Sequence, residues 1–342
     1  MNRIQYIDAM RGFTMFLVVL GHVSTFGLGL YGTEIFSYTD IFIEFRMPLF
    51  FFISGFVLYK KGFEWSLANT FAFLKKKSVV QILSPLIFMM SFVMVQQFSI
   101  VDALYAYEKS GYWFTFTLFE YFCFYIFAQQ IVRLFKLKGL SEDILLLALG
   151  GAIYVATIWS FIEKYELHTG VASLIGVPTW HNFIFFVIGT RIRKYFCEFE
   201  KLLETKWFVL FSVSIFFLLN LFPQTKMVSS TLWNFLTAST GIVMAFAFFR
   251  QYQDYFDNAH RIGRWVQFVG RRTLDIYLIH YFFVFSNMQA VLPNFGRLNS
   301  PFLEFILSTI IALLIIGCCL GVSCILRLSP VMAHFLFGQK KQ

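Results

Sequence analysis

Apolar residues in this chain run in long blocks, separated by short polar links rich in Lys and Arg. A helix needs about 20 mostly apolar residues to cross the hydrocarbon core of a bilayer. Ten blocks reach or approach that length: 12–31, 41–59, 79–98, 113–132, 143–161, 178–190, 207–222, 232–249, 273–290 and 302–326. In lipid a helix satisfies its own backbone hydrogen bonds, which an open strand cannot do. The pattern therefore predicts an all-α, polytopic membrane bundle of about ten transmembrane helices. The first block runs past signal-peptide length without an A-x-A-like exit, so it is expected to stay as an uncleaved anchor. No link is long enough for a separate soluble domain, and there is no internal repeat. Residues 1–342 read as a single membrane domain.

Composition strengthens this reading. The chain is 58% hydrophobic and 14% charged, and Phe alone contributes 48 residues. A soluble domain is nearer a quarter charged. The net charge of +9 lies in the links, which points to membrane topology and away from nucleic acid. With the N-terminus inside, 23 of the 28 Lys and Arg residues fall in inside links. Only Lys109, Lys164, Lys226 and Arg297 fall outside, and Arg46 lies within a block. That asymmetry predicts two cytoplasmic termini in a multi-pass protein of the cytoplasmic membrane. The five cysteines show neither a metal-ligand spacing nor a disulfide framework, and they read as small apolar residues.

Ionisable groups inside the blocks carry the functional signal, because lipid makes them costly. His22 lies in the first block. Arg11 precedes it by eleven residues, about three helical turns, so both share a face roughly 16 Å apart along the axis. Asp8 joins that face if the helix begins early enough. Arg46 lies about 8 Å inside the second block, at a height similar to that of His22. Glu120 in the fourth block and His280 in the ninth lie equally deep, and Tyr277 is one turn from His280. Four such groups from four blocks are read as one shared polar cavity. The bland alternatives are a packing hydrogen bond for His22, and snorkelling or an ion pair with Glu44 or Glu120 for Arg46. Asp275, Glu304 and His181 sit nearer block ends, where water explains them. The basic runs Lys75-Lys76-Lys77, Arg191-x-Arg193-Lys194 and Arg271-Arg272 suit phosphates, although positive-inside topology alone also accounts for them.

The opening RIQYIDAMRGFTMFLVVLGHV resembles the start of the acyltransferase-3 family, with an Arg-x10-His pattern at Arg11 and His22. The resemblance continues in family order through FRMPLFFFISGF (Arg46 to Phe56), YWF (Tyr112 to Phe114), FFVIGTRIRK (Phe185 to Lys194) and GRRTLDIYLIH (Gly270 to His280). It implies a membrane O-acyltransferase that takes an acyl group, expected to be acetyl, from cytoplasmic acyl-CoA. The implied acceptor is a hydroxyl of a cell-surface polysaccharide or glycolipid. The resemblance implies His22 as the catalytic histidine, with Arg11 and Arg46 as charged groups of the site; Glu120, from its depth, is expected to balance the charge of Arg46. Lys75, Lys76, Lys77, Arg191, Arg193, Arg271 and Arg272 are the expected contacts to CoA, which enters as co-substrate rather than as a resident cofactor; no metal is expected. Asp8, Trp113, Tyr277 and His280 are the expected acceptor-site residues. One departure is KKKSVVQILSP, where Gln81 stands at a position that is commonly basic. The competing class is a transporter or flippase of a glycan or lipid intermediate, which polar groups at mid-membrane would also suit.

Overall fold

The computed structural model describes residues 4–28, 37–162, 170–221, 230–284 and 300–339. Every element among the described residues is helical and none is a strand. Six helices are long and apolar enough to cross a membrane: Gln5–Gly27, Asp40–Leu58, Leu67–Val95, Leu140–Ile158, Thr231–Gln251 and Pro301–Leu326. A bent pair, Phe196–Leu203 with Trp207–Leu221, qualifies as a seventh if it is one span. The chain is thus a multi-pass membrane protein.

The other predicted spans differ for local reasons. Block 113–132 forms a helix of 22 residues, Trp113–Leu134 (α6), but Glu120, Gln129 and Gln130 dilute its apolarity. Block 178–190 becomes a 3₁₀ turn, Val177–Asn182, followed by a helix of 12 residues, Phe183–Lys194 (α9). The described part of block 273–290 is a short apolar helix, Thr273–Val284, in two segments, Thr273–Ile279 (α14) and Tyr281–Val284 (α15), that meet at His280; residues 285–290 lie outside the described set. The third long helix begins at Leu67 instead of 79 and runs 29 residues. At 1.5 Å per residue it is about 43 Å long, so one end must project beyond a core of about 30 Å. Lys75, Lys76 and Lys77 lie on it, in Leu67–Ser78 (α3).

By its internal contacts the chain divides into two compact units, residues 1–53 with 196–324, and residues 54–195 with 325–342. In the first unit, Gln5–His22 (α1) packs along Arg261–Arg271 (α13) and the start of α14. This crossing is unusually close. A Cβ on Gly12 would collide with the carbonyl oxygen of Val266, and one on Gly270 with that of Asp8. Small residues allow such backbone approach inside a membrane, where no hydrophobic force drives helices together. Aromatic edges and faces fill the rest of the unit. Tyr6 meets Phe246 at 6.0 Å between ring centroids, Phe13 meets Phe249 at 5.6 Å, and Phe45 meets Phe216 at 5.2 Å. Arg250, at the end of Ser230–Gln251 (α12), binds Glu200 at 2.9 Å and Glu204 at 2.7 Å.

The second unit is built on α6, α9 and Leu140–Ile162 (α7). Tyr121, Phe122, Phe183 and Phe186 form its aromatic core. An ion cluster joins the first turn of α7 to the last turn of α9. Arg191 Nη1 donates to Glu142 Oε1 and Asp143 Oδ1, both at 2.8 Å, and Lys194 donates to Asp143 at 2.7 Å. Acids at a helix start and cations at a helix end also complement the two macrodipoles.

Gly270→Ala should lower the thermal unfolding temperature of the purified protein, because its Cβ meets backbone that cannot yield; overpacking costs about 1–3 kcal/mol. Gly321→Ala, on an outward face with no described atom within 4 Å of the new Cβ, should leave that temperature unchanged or slightly higher. Equal effects from the two variants would contradict the close crossing.

Candidate active site

The first unit brings together three of the groups that its sequence singled out. Helix α1 begins at Gln5, early enough to include Asp8, and ends at His22. The helix then widens into a π turn, Val23–Gly27. Such turns are rare and concentrate at functional sites. His22 Nδ1 lies 2.9 Å from His280 Nε2, and the two rings are nearly parallel at 6°. His280 is fully buried at the break between α14 and α15. Its Nδ1 lies 3.0 Å from the carbonyl oxygen of Ile276 and 2.8 Å from that of Tyr277. The Tyr281 ring packs on both histidines, with centroids 5.2 Å from His22 and 4.0 Å from His280.

Arg46 completes the group. It stands in Ile43–Leu58 (α2), and its guanidinium rests on the bare backbone of Gly21. A Cβ at Gly21 would overlap Nη1. That nitrogen is buried and has no hydrogen-bond partner among the described residues. Tyr281 and Asp40 are within electrostatic reach. An arginine cannot shed its proton, so a buried, unsatisfied N–H is costly and is well suited to an anionic oxygen. His22 and Arg46 are each only half-buried despite their depth, so both keep surface that a small molecule can touch.

Two further sets of contacts frame this group. Arg11 Nη2 lies 3.4 Å from Thr273 Oγ1, at the first residue of α14. With His22 facing His280 beyond the other end of α14, α1 and α14 run in the same direction. Beyond His22, Ser24 accepts from Thr39 Oγ1 at 3.1 Å. Ser37 Oγ donates to Glu304 Oε2 at 2.7 Å, and the Ser37 N–H donates to Asp40 Oδ2 at 3.1 Å. Asp8 is buried in the first turn of α1, and its carbonyl faces Gly270.

Glu120 belongs to the second unit. Its Oε2 accepts from Trp180 Nε1 at 2.8 Å. Nearby Lys109 donates from Nζ to the Ser173 carbonyl at 2.5 Å. Burial lowers the Lys109 ammonium below its ordinary pKa, and Glu120 opposes that shift. Trp113 opens α6, half-buried, with its ring edge-on to Phe114. Of the basic residues expected at CoA, Lys75, Lys76 and Arg271 are exposed. Lys77 lies 4.8 Å from the Phe122 ring centroid, and Arg193 lies 4.9 Å from that of Phe56. Arg191 is committed to Glu142, Asp143 and the Tyr125 hydroxyl. Arg272 donates to Asp275 at 3.2 Å, and Ser323 donates to the same carboxylate oxygen.

The acyltransferase-3 family pattern, described as an acyltransferase domain, matches residues 4–321. The chain belongs to the acyltransferase-3 family. It is therefore a membrane acyltransferase, and it acts on an acyl donor and an acceptor. No curated protein and no solved structure is significantly similar to it.

In this acyltransferase, several residues near the histidine pair escaped sequence reasoning. Gly21 was visible as the residue before His22, but nothing in sequence announced that Arg46 lies against it. Tyr281 followed His280 and looked like one more aromatic among many. Glu304 read as a wet span end, whereas it holds Ser37 and Ser308. The acidic pair Glu142-Asp143 was the one available warning that Arg191 has internal partners.

Gly21→Ala should displace the Arg46 guanidinium; if that group serves the transfer, turnover should fall about 10²-fold, the scale of a 1 Å misplacement. Thermal stability should hardly change, because the atom displaced is the end of a flexible side chain. Wild-type turnover in this variant, measured with a radiolabelled acyl donor, would show that the seat of Arg46 is immaterial.

Proposed function

We propose that this protein is an acyl-CoA-dependent O-acyltransferase that moves an acyl group, acetyl in the simplest case, to a hydroxyl of a cell-surface polysaccharide or glycolipid. The observation that carries the reading is the seating of the Arg46 guanidinium on Gly21, the residue before His22, with Nη1 lacking a hydrogen-bond partner among the described residues. A base and an anion-binding donor at one place are what acyl transfer to a hydroxyl requires.

The steps follow from those two groups. His22 takes the proton of the acceptor hydroxyl as its oxygen attacks the thioester carbonyl. The Arg46 guanidinium donates to the oxyanion that develops. Collapse of the tetrahedral intermediate breaks the carbon–sulfur bond, and the proton held on His22 passes to the departing thiolate. The products are an ester and CoA as the free thiol. Asp8, Trp113, Tyr277 and His280 are the proposed surroundings of the acceptor, and Glu120 is a further proposed group of the site.

CoA carries phosphates, and exposed cations suit them. Lys75, Lys76 and Arg271 are the first proposed contacts, since their side chains are exposed. Lys77, Arg193 and Arg272 have aromatic or acidic neighbours and follow in rank. Arg191 comes last, because two carboxylates already neutralise it.

We propose the ten-span arrangement with cytoplasmic termini in the cell membrane. The Lys and Arg asymmetry supports it. So does the common direction of α1 and α14, since the first and ninth spans of such a topology must run the same way.

The test is the purified His22→Ala variant, assayed for acyl-CoA-dependent transfer to isolated envelope glycans and, separately, for CoA binding. The expected result is loss of transfer, a fall of about 10²-fold or more, with CoA binding retained. Transfer at the wild-type rate would end the proposal.

A further inference from the structure

The geometry points to His280 as the positioning residue that decides which nitrogen of His22 is free to act; this rests on the reading of His22 as the base. A neutral imidazole carries one N–H, and its other nitrogen is an acceptor. His280 Nδ1 faces two backbone carbonyl oxygens, those of Ile276 and Tyr277, at 3.0 and 2.8 Å. Carbonyls only accept, so the hydrogen of His280 sits on Nδ1. Its Nε2 is then an acceptor, and it lies 2.9 Å from His22 Nδ1. That contact is a hydrogen bond only if His22 Nδ1 is the donor. The single hydrogen of neutral His22 is thereby held on Nδ1, and the lone pair of His22 Nε2 is left for the acceptor hydroxyl.

The arrangement does for His22 what a carboxylate does in a Ser-His-Asp triad: it holds tautomer and ring orientation. Here the orienting group is itself neutral, and its own tautomer is set by the end of helix α14. A carboxylate at this depth would add a charge in lipid, whereas a histidine adds none. During turnover His22 Nε2 gains the hydroxyl proton while Nδ1–H keeps donating to His280. The imidazolium so formed stays paired, and no proton need leave His280. Full burial of His280 gives the pair no competing water on that side.

A merely structural role, tying α14 to α1, would predict loss of stability without a change in which nitrogen is protonated. The experiment compares His280→Ala and His280→Gln with wild type and His22→Ala, all purified. It reads kcat, the KM for acyl-CoA, and the ¹⁵N spectrum of protein labelled at histidine, with His22 assigned by its loss in His22→Ala. In wild type, His22 should show Nδ1 protonated and Nε2 bare. His280→Ala should lower kcat about 10²-fold with KM little changed. His280→Gln should recover most of that loss, since its Oε1 can accept near the position of Nε2. Wild-type kcat in His280→Ala, with His22→Ala inactive, overturns this inference and leaves the function standing. Activity in His22→Ala overturns the function itself. If His280→Ala fails to fold, the wild-type spectrum and the glutamine variant still decide, and a proton on His22 Nε2 overturns the inference.

Discussion

The contact between His22 and His280 depends on how closely α1 can lie against α13 and α14. Gly12 and Gly270 remove the two Cβ atoms that would hold those helices apart. With the backbones in contact, a short ring on α1 reaches a short ring at the end of α14, and neither needs a water between them. Helices in lipid gain little from burying apolar surface, so close packing and interhelical hydrogen bonds must supply the association. The same crossing that stabilises the first unit thus sets the distance on which the histidine pair relies. A bulkier pair of residues at this crossing would leave His22 as an isolated polar group.

The polar groups in the two units illustrate two ways of living in an apolar medium. In the second unit the buried charges of α7 and α9 neutralise one another. Arg191 and Lys194 neutralise Glu142 and Asp143, and Glu120 takes a hydrogen bond from Trp180. Such pairs carry a desolvation cost that their geometry offsets. In the first unit the accounts do not close in the same way. His22 and His280 satisfy each other, but Arg46 Nη1 remains without a described partner. A cation left unsatisfied near a buried histidine pair is what would be expected of a site that binds an anionic or polar ligand.

Much of this was readable in the chain. The long apolar blocks gave the helical membrane class, and the eleven-residue step from Arg11 to His22 gave a shared face, now realised on α1. The depths of His22, Arg46 and His280 were enough to bring them together. What was not readable is instructive. Block 273–290 gave no sign that the His280 side chain turns back onto the carbonyls of Ile276 and Tyr277, because hydropathy does not register side-chain direction. Block 79–98 hid a longer helix, because Lys75, Lys76 and Lys77 interrupt hydropathy without interrupting helix propensity. Arg191 looked like a phosphate ligand because charge patterning counts cations and does not see acids brought in by another helix. Long-range partners are set by tertiary packing, which leaves no mark at any one position.

The most direct test of the account is a structure of the protein with a non-transferable acyl-CoA analogue, in which a ketone replaces the thioester. The ketone carbon should lie beside His22 Nε2, with its oxygen receiving a hydrogen bond from the Arg46 guanidinium and the CoA phosphates at exposed basic side chains. A carbonyl seated away from both groups, with His22 Nε2 turned to protein atoms alone, would contradict it.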